Sequence, residues 1–478
     1  MPHPLSQRIT DVLGLAPSAR ALQYDGQWCT WGQLATLSRR IGMLTGDHRV
    51  GIMLRNTPVH VAALLGVLEA GGTVVVINPA RGDDRTRADI ASLSLPLVIG
   101  LGEDHATLVT PSPGTASITL SDLDTEPTVT GEPGDDAGRP GVAVWMLTSG
   151  TTGPPKRVDL TYDMLARSVM GGQPWDAPRE LRRGVAIVNS PLVHVGGVFR
   201  VLSCVAEARP FVLLPKFDLR RWSAAVREHR PRAVSLVPAA LRMVLHSELT
   251  RDDLAGIRVV TSGTAPLSAD DADAFTEKFG IPVLTSYAAT EFGGGVAGWT
   301  LDDHSRYWTD KRGSVGRANP GARLRVVDED GSPLGPDERG LLEVKPAQMD
   351  PSADWIRTTD LARIDADGFV WILGRADQAI IRGGFKVMPD GVRAVLESHP
   401  AVRGAAVIGR ADDRLGETPV AMVELHGETT VDALHAYLGS RLARYEIPTT
   451  IAIVDAIPRT PSGKPDLGAV RDHFAASA

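Results

Sequence analysis

Residues 142 to 156 constrain the fold more than any other stretch. An apolar run, Val142 to Leu147, reads as a buried strand, and it opens into Thr148-Ser149-Gly150-Thr151-Thr152-Gly153-Pro154-Pro155-Lys156. A loop of this composition can wrap an anion. Glycines let backbone N–H groups converge, hydroxyls donate beside them and the ammonium supplies charge, so polyphosphate is the natural guest. The order is not that of a Walker A loop, because Lys156 is followed by Arg157 rather than Ser or Thr. Turn chemistry uses the same residue types, so this stretch alone leaves an ordinary loop open. Beyond it, Leu160 to Met164 predicts the start of a helix.

The rest of the chain repeats the strand-then-helix texture. Arg49 to Leu54, Thr73 to Ile77, Val185 to Asn189, Phe211 to Leu214, Ala233 to Val237, Ile257 to Thr261 and Ile281 to Leu284 are apolar segments of strand length. Helix-length stretches such as Val59 to Ala70 separate them, the alternation expected of parallel sheets. Thr30 before Trp31-Gly32-Gln33 is a helix-cap signal, preceded by a strand hairpin over Ala21 to Cys29. After about residue 310 the texture changes. Arg323 to Asp328, Leu341 to Lys345 and Phe369 to Leu373 are punctuated by Asp330-Gly331 and Asp367-Gly368, the dipeptides of tight hairpins. Beyond Gly374-Arg375 a compact tail begins, with helices over 390–398 and 431–442 and strands over 405–409 and 419–425. The expected fold is α/β: a large N-terminal domain of stacked α/β sheets with a β-rich subdomain, residues 1–375, and a small mobile α+β C-terminal domain, residues 376–478.

A chain of 478 residues suggests roughly two to four structural units. Its formal charge of -7 leaves no electrostatic footprint for nucleic acid. The two cysteines, Cys29 and Cys204, lie far apart, which excludes a zinc-ligand spacing, argues against a disulfide framework and suggests a reducing compartment. Met1 to Arg8 has no apolar signal core behind it. The longest apolar region, Val59 to Asn78, is broken by His60, Glu69 and Gly71-Gly72, so no membrane span is expected and the location expected is cytoplasmic.

Four further clusters join the first. They are Thr261-Ser262-Gly263-Thr264-Ala265-Pro266-Leu267, Ser286-Tyr287-Ala288-Ala289-Thr290-Glu291, Thr358-Thr359-Asp360 with Gly374-Arg375-Ala376-Asp377, and Pro458-Arg459-Thr460-Pro461-Ser462-Gly463-Lys464. In this order the set resembles the adenylate-forming superfamily of acyl-CoA synthetases, nonribosomal-peptide adenylation domains and beetle luciferases. The resemblance runs from the Trp31 region to Lys464, and motif order supplies the context that single matches lack.

The resemblance implies a role for each position. Thr148, Ser149, Gly150, Thr151, Thr152, Gly153 and Lys156 would hold the β- and γ-phosphates of ATP. Tyr287 would stack on adenine, with Gly263, Thr264, Ala265, Ser286 and Ala288 along the base. Thr290 would donate to the α-phosphate and Glu291 would hold Mg²⁺, a hard cation suited to carboxylate and phosphate oxygens. Asp360 would accept from both ribose hydroxyls, Arg375 would contact ribose or phosphate, and Asp377 would be the hinge of the mobile domain. Lys464 would stabilise the charge that builds as a carboxylate attacks the α-phosphorus. The glycines of the Arg382 to Lys386 loop, Gly384 among them, would let a pantetheine arm pass. His194, Gly196 and Ala289 would line the acyl pocket, although a lone histidine in an apolar stretch also suits a packed core.

The implied reaction activates a carboxylic acid, aliphatic or aromatic, as acyl-AMP and then forms a thioester. Coenzyme A is the simpler acceptor and a free-standing carrier protein the rival, since only fourteen residues follow Lys464 and no fused carrier is expected. Oligomerisation is left open. The sequence departs from the family pattern at Ala288, Thr359, Arg157, Gln378 and Asp390 to Arg393. The last departure puts the thiolation contacts in doubt.

Overall fold

The parallel sheet demanded by the 142–148 strand is present and has seven strands. The computed structural model describes residues 2–475 apart from 137, 149–155, 172–174, 383–384, 413 and 461–462. The chain divides into two compact units, the first made of residues 1–235, 252–257 and 289–294 and the second of residues 236–251, 258–288 and 295–478.

In the first unit the sheet runs in the order Thr128–Thr130, Ala116–Leu120, Leu97–Leu101, Arg49–Met53, Thr73–Ile77, Val142–Thr148, Lys156–Thr161. Its five inner strands are parallel and its two edges antiparallel. Val50, Ile52, Val74, Val75, Val98 and Ile99 are all 0% exposed. Central parallel strands are covered on both faces, which is why they read as unbroken apolar runs. A second sheet orders Ala186–Val188, Phe211–Leu213, Arg20–Tyr24 and Gln27–Thr30.

One helical expectation needs correction. Leu160 does not start a helix: Lys156–Thr161 is the edge strand paired with Val142–Thr148, and the helix Tyr162–Met170 follows, with the Thr161 hydroxyl accepting from the Met164 N–H at 3.1 Å. The N-terminus, for which the sequence reading named no element, forms the helix Pro4–Leu15, with Pro4 in its first turn and His3 accepting from the Leu5 N–H. The Thr30 signal is borne out as a reciprocal capping box with Gln33 at the head of the helix Trp31–Thr45.

In the second unit Val259–Ser262 runs parallel to Val283–Ala289. The β-rich part is a four-stranded antiparallel sheet, Arg323–Val327, Gly340–Lys345, Ile356–Ile364 and Val370–Arg375. Asp367-Gly368 makes the tight turn expected of it, with Gly368 at φ 83°. Asp330-Gly331 does not join two long strands directly. After that turn Val327 bridges Pro333, and proline cannot extend the ladder, so the next strand waits until Gly340. The C-terminal part carries the strands Val402–Asp412, Gly416–Leu425 and Thr450–Val454 and the helices Pro389–Glu397, Val431–Gly439 and Leu467–Ala475. Both of its apolar cores are built from residues 380–474 alone. Among the described residues no helix is long and apolar enough to cross a membrane.

In the first unit the helices Trp31–Thr45 and Pro58–Glu69 cross through glycine. A Cβ on Gly66 would lie 2.3 Å from the Ser38 carbonyl oxygen, and one on Gly42 would lie 3.0 Å from the Gly66 carbonyl oxygen. Helix propensity favours Gly66→Ala by about 1 kcal/mol, whereas overpacking costs about 1–3 kcal/mol. Packing should win, so Gly66→Ala should lower the urea midpoint of this unit.

Candidate active site

Antiparallel register in the second unit sets Asp360 opposite Arg375. The Tyr287 hydroxyl, at the end of the Val283–Ala289 strand, donates to the Asp360 carboxylate. The Asp360 N–H donates to the Thr358 hydroxyl at 3.1 Å. Arg375 forks onto Asp377 at 2.9 and 2.7 Å and also donates to the Thr359 hydroxyl at 2.7 Å. Thr359, the residue that departs from the family pattern, is therefore a partner of the site arginine. Tertiary structure thus gathers Tyr287, Asp360, Arg375 and Asp377 from three stretches of sequence.

Burial dominates the electrostatics of this cluster. It pushes the Asp360 carboxyl above the usual carboxylate range, against the opposing pull of the Tyr287 hydrogen bond and of Arg375, and with Asp377 and Asp390 adding to the push. Burial and the neighbouring Asp360 also push the Tyr287 hydroxyl up, so it stays protonated and can donate. Beside this cluster the Gly263 turn meets the next strand closely: a Cβ there would lie 2.9 Å from the Ser286 Oγ. Thr264 follows in the left-handed region at φ 70°, and Ala265 completes the turn. Gly263 to Ala265 and Ser286 to Ala288 thus lie on the ends of two paired strands.

In the first unit Thr148 and Lys156 are register partners across the hairpin. The loop they close, 149–155, holds Ser149, Gly150, Thr151, Thr152 and Gly153, all outside the described residues. Lys156 is exposed at its exit. Arg157 has a different task. It is nearly buried, pairs with Asp89 at 2.7 Å, donates to the Val76 carbonyl at 2.9 Å and lies 5.3 Å from the Trp145 ring, so it ties the edge strand to the sheet. The 156–161 strand packs beside the short turn Thr290–Phe292, which bears Thr290 and an exposed Glu291. That turn closes on Gly293 at φ 67°, where a Cβ would meet the Met164 side chain at 2.7 Å. Ala289, half-buried, immediately precedes it.

His194 ends the loop before the helix Val195–Ala206 and is half-buried. Gly196 faces open space, whereas a Cβ on Gly197 would lie 2.1 Å from the Pro191 carbonyl oxygen. The loop is held by Asn56, which sequence reading missed. Its amide donates to the carbonyls of Ser190 at 3.0 Å and Leu214 at 2.9 Å, and its oxygen accepts from the Leu192 N–H at 2.8 Å. An asparagine 134 residues from its main partner leaves no local signal.

Lys464 is exposed on a turn at the C-terminal end of the second unit. Its carbonyl accepts from the Thr460 N–H at 2.8 Å, and Gly463 adopts φ 81°. Gly384 lies outside the described residues.

This arrangement of sheets and clusters is that of AMP-binding enzymes. The family model described as AMP-binding enzyme matches residues 12–349, and the model of the AMP-binding enzyme C-terminal domain matches residues 392–464. The chain belongs to this family and is an AMP-forming ligase. It is 30% identical to a 4-coumarate--CoA ligase-like 9 of Oryza sativa subsp. japonica, over 96% of this chain and 89% of the relative. It is 29% identical to an indoleacetate--CoA ligase of Aromatoleum aromaticum, over 96% of each. Its fold matches ATP-bound MatB from Rhodopseudomonas palustris with a TM-score of 0.80 at 23% identity, covering 99% of both chains.

Two outcomes follow from this geometry. Because burial raises the Asp360 pKa, its ionised form costs the ligand-free protein stability, a cost absent below the unfolded pKa and complete above the folded one. Asp360→Asn should therefore raise the melting temperature at pH 7, and the gain should shrink as pH falls through the raised pKa towards 3.8, read by scanning calorimetry. Asn56→Leu leaves the Leu192 N–H and two carbonyls without their partner. A loss of about 2–4 kcal/mol is expected in denaturant titration, and Asn56→Asp should lose at least as much, because a carboxylate cannot donate to the two carbonyls.

Proposed function

We propose that the ligase activates an aromatic carboxylic acid with ATP, releasing pyrophosphate, and transfers the acyl group from AMP to the thiol of coenzyme A. The observation that carries this reading is the hydrogen-bonded Tyr287–Asp360–Arg375–Asp377 cluster, half-buried at Tyr287 and Asp360. It offers an anionic oxygen acceptor beside an aromatic face, the pairing a ribose and its base require. Acyl class rests on the relatives, whose names specify 4-coumarate and indoleacetate.

In this reading a carboxylate oxygen attacks the α-phosphorus, the bond to pyrophosphate breaks, and acyl-AMP forms. The thiol then attacks the acyl carbon as AMP leaves, and its proton passes to solvent. The chain's residues orient and neutralise: the 148–156 loop and Lys156 hold the leaving phosphates, Asp360 accepts from ribose, Thr290 donates to the α-phosphate and Lys464 meets the developing charge. Among the described residues no group of three His, Cys, Asp or Glu could hold a metal ion. A single exposed carboxylate at Glu291 fits Mg²⁺ that takes its other oxygens from phosphate and water, and the ion would neutralise phosphate charge there. Residues 376–478 form the mobile domain in this scheme, with Asp377 at its hinge, and His194, Gly196 and Ala289 line the acyl pocket. Both cysteines are buried thiols, with burial raising Cys29 to about 11 and Cys204 to about 12, which suits a reducing cytoplasm.

A panel of hydroxycinnamic, indolic, benzoic and aliphatic acids, read by pyrophosphate release with and without coenzyme A, tests the proposal. Turnover of an aromatic member with coenzyme A is expected, and Lys464→Ala should slow acid-dependent ATP–pyrophosphate exchange by about 10²-fold or more. Pyrophosphate release that a carrier protein stimulates and coenzyme A does not would reassign the acceptor. Silence across the panel sinks the reading.

A further inference from the structure

The helix Pro238–Leu245 meets the C-terminal part of the second unit at three points along its length. At its start, a Cβ on Gly463 would lie 3.5 Å from the Val237 side chain, so the turn that carries Lys464 sits against the head of the helix. At its middle, Arg242 donates to both carboxylate oxygens of Glu397 at 3.1 and 2.7 Å and, through Nε, to Asp271 at 2.7 Å. At its end, His246 stacks on His426, with ring centroids 4.3 Å apart and planes 26° from parallel. The Arg242 and Glu397 side chains are only 8% and 4% exposed.

The ion pair and the stacked imidazoles are polar contacts, and the C-terminal part buries its apolar residues within its own two cores. A body with a self-contained core and a charged docking face can detach without exposing that core. The charges are arranged for parting as well. Glu397 has partners on its own side, Arg393 at 2.8 Å and the Ala405 N–H at 3.2 Å. Arg242 keeps Asp271, in the first turn of the helix Ala269–Phe279, on the other side. Breaking a buried pair is costly mainly because it strands a charge, and here neither charge is stranded.

Resting on the ligase reading above, we propose that Arg242 is a positioning residue for the first half-reaction. Its fork onto Glu397 docks the C-terminal body along the 238–245 helix and thereby sets the turn bearing Lys464, and the pair parts when that body moves for thioester formation. Arg242 and Glu397 act on the chemistry only through that placement.

The test uses the full-length protein as wild type, Arg242→Ala, Arg242→Lys and Glu397→Gln. Hydrogen–deuterium exchange over residues 238–245 and 389–397 reads the docking without turnover. The two half-reactions are read separately, as ATP–pyrophosphate exchange with 4-coumarate and as coenzyme A-dependent consumption of prepared 4-coumaroyl-AMP. Expected are faster deuterium uptake in Arg242→Ala and Glu397→Gln, pyrophosphate exchange slowed about tenfold or more, adenylate consumption within about twofold of wild type, and partial recovery in Arg242→Lys. Equal loss in both half-reactions marks a merely structural ion pair and overturns the proposal. Unchanged deuterium uptake overturns it whether or not 4-coumarate is a substrate. A wild type that neither exchanges pyrophosphate with any acid of the panel nor consumes the adenylate defeats the ligase reading, and deuterium uptake then decides the docking by itself.

Discussion

A carboxylate taken out of water is the constraint around which the second unit is arranged. Asp360 pays the desolvation cost of its charge and recovers part of it from the Tyr287 hydroxyl and from Arg375. Register makes this possible. Antiparallel pairing of Ile356–Ile364 with Val370–Arg375 brings Asp360, midway along its strand, opposite Arg375 at the end of the other. Arg375 is itself oriented by Asp377 and Thr359, so the carboxylate faces a cation that is already placed. Such preorganisation destabilises the empty protein slightly and favours a ligand that supplies hydrogen-bond donors.

The first unit solves a different problem, setting Thr148 beside Lys156 at the end of a parallel strand. Thr148 and Lys156 are paired, so the nine-residue stretch is closed at its base whatever lies between them. The edge strand that supplies Lys156 is anchored by Arg157 through Asp89 and two backbone carbonyls. A glycine at 157 would leave that strand without its anchor, which gives the departure from the family pattern a structural cause. The same division of labour holds at 194–197, where Gly197 satisfies a close approach to Pro191 and Asn56 holds the loop.

Charge arrangement separates what the C-terminal part holds internally from what it shares. Its apolar cores are its own, and its contacts with the 238–245 helix are an ion pair and a stacked imidazole pair. An interface made this way has direction and specificity without a large apolar area to re-expose. That composition suits the docking and release proposed for this part of the chain.

Periodicity and local chemistry made much of this legible in advance. Three apolar runs of the seven-stranded sheet, at 49–53, 73–77 and 142–148, the Thr30 capping box and the Asp367-Gly368 turn were readable because their causes lie within a few residues of one another, whereas the strands at 97–101, 116–120 and 128–130 were not read. The strand at 156–161 was not, because it holds only two apolar residues, Val158 and Leu160, and pairing with 142–148 places it. The composition of the five motifs, by itself, determined which residue types the site contains and the family to which the chain belongs. Tertiary structure alone decided that Tyr287 donates to Asp360, that Asn56 holds a loop 134 residues away and that Arg242 reaches Glu397 across 155 residues. Hydrogen bonds and ion pairs act over about 3 Å of space irrespective of chain separation, so no local pattern could have announced them.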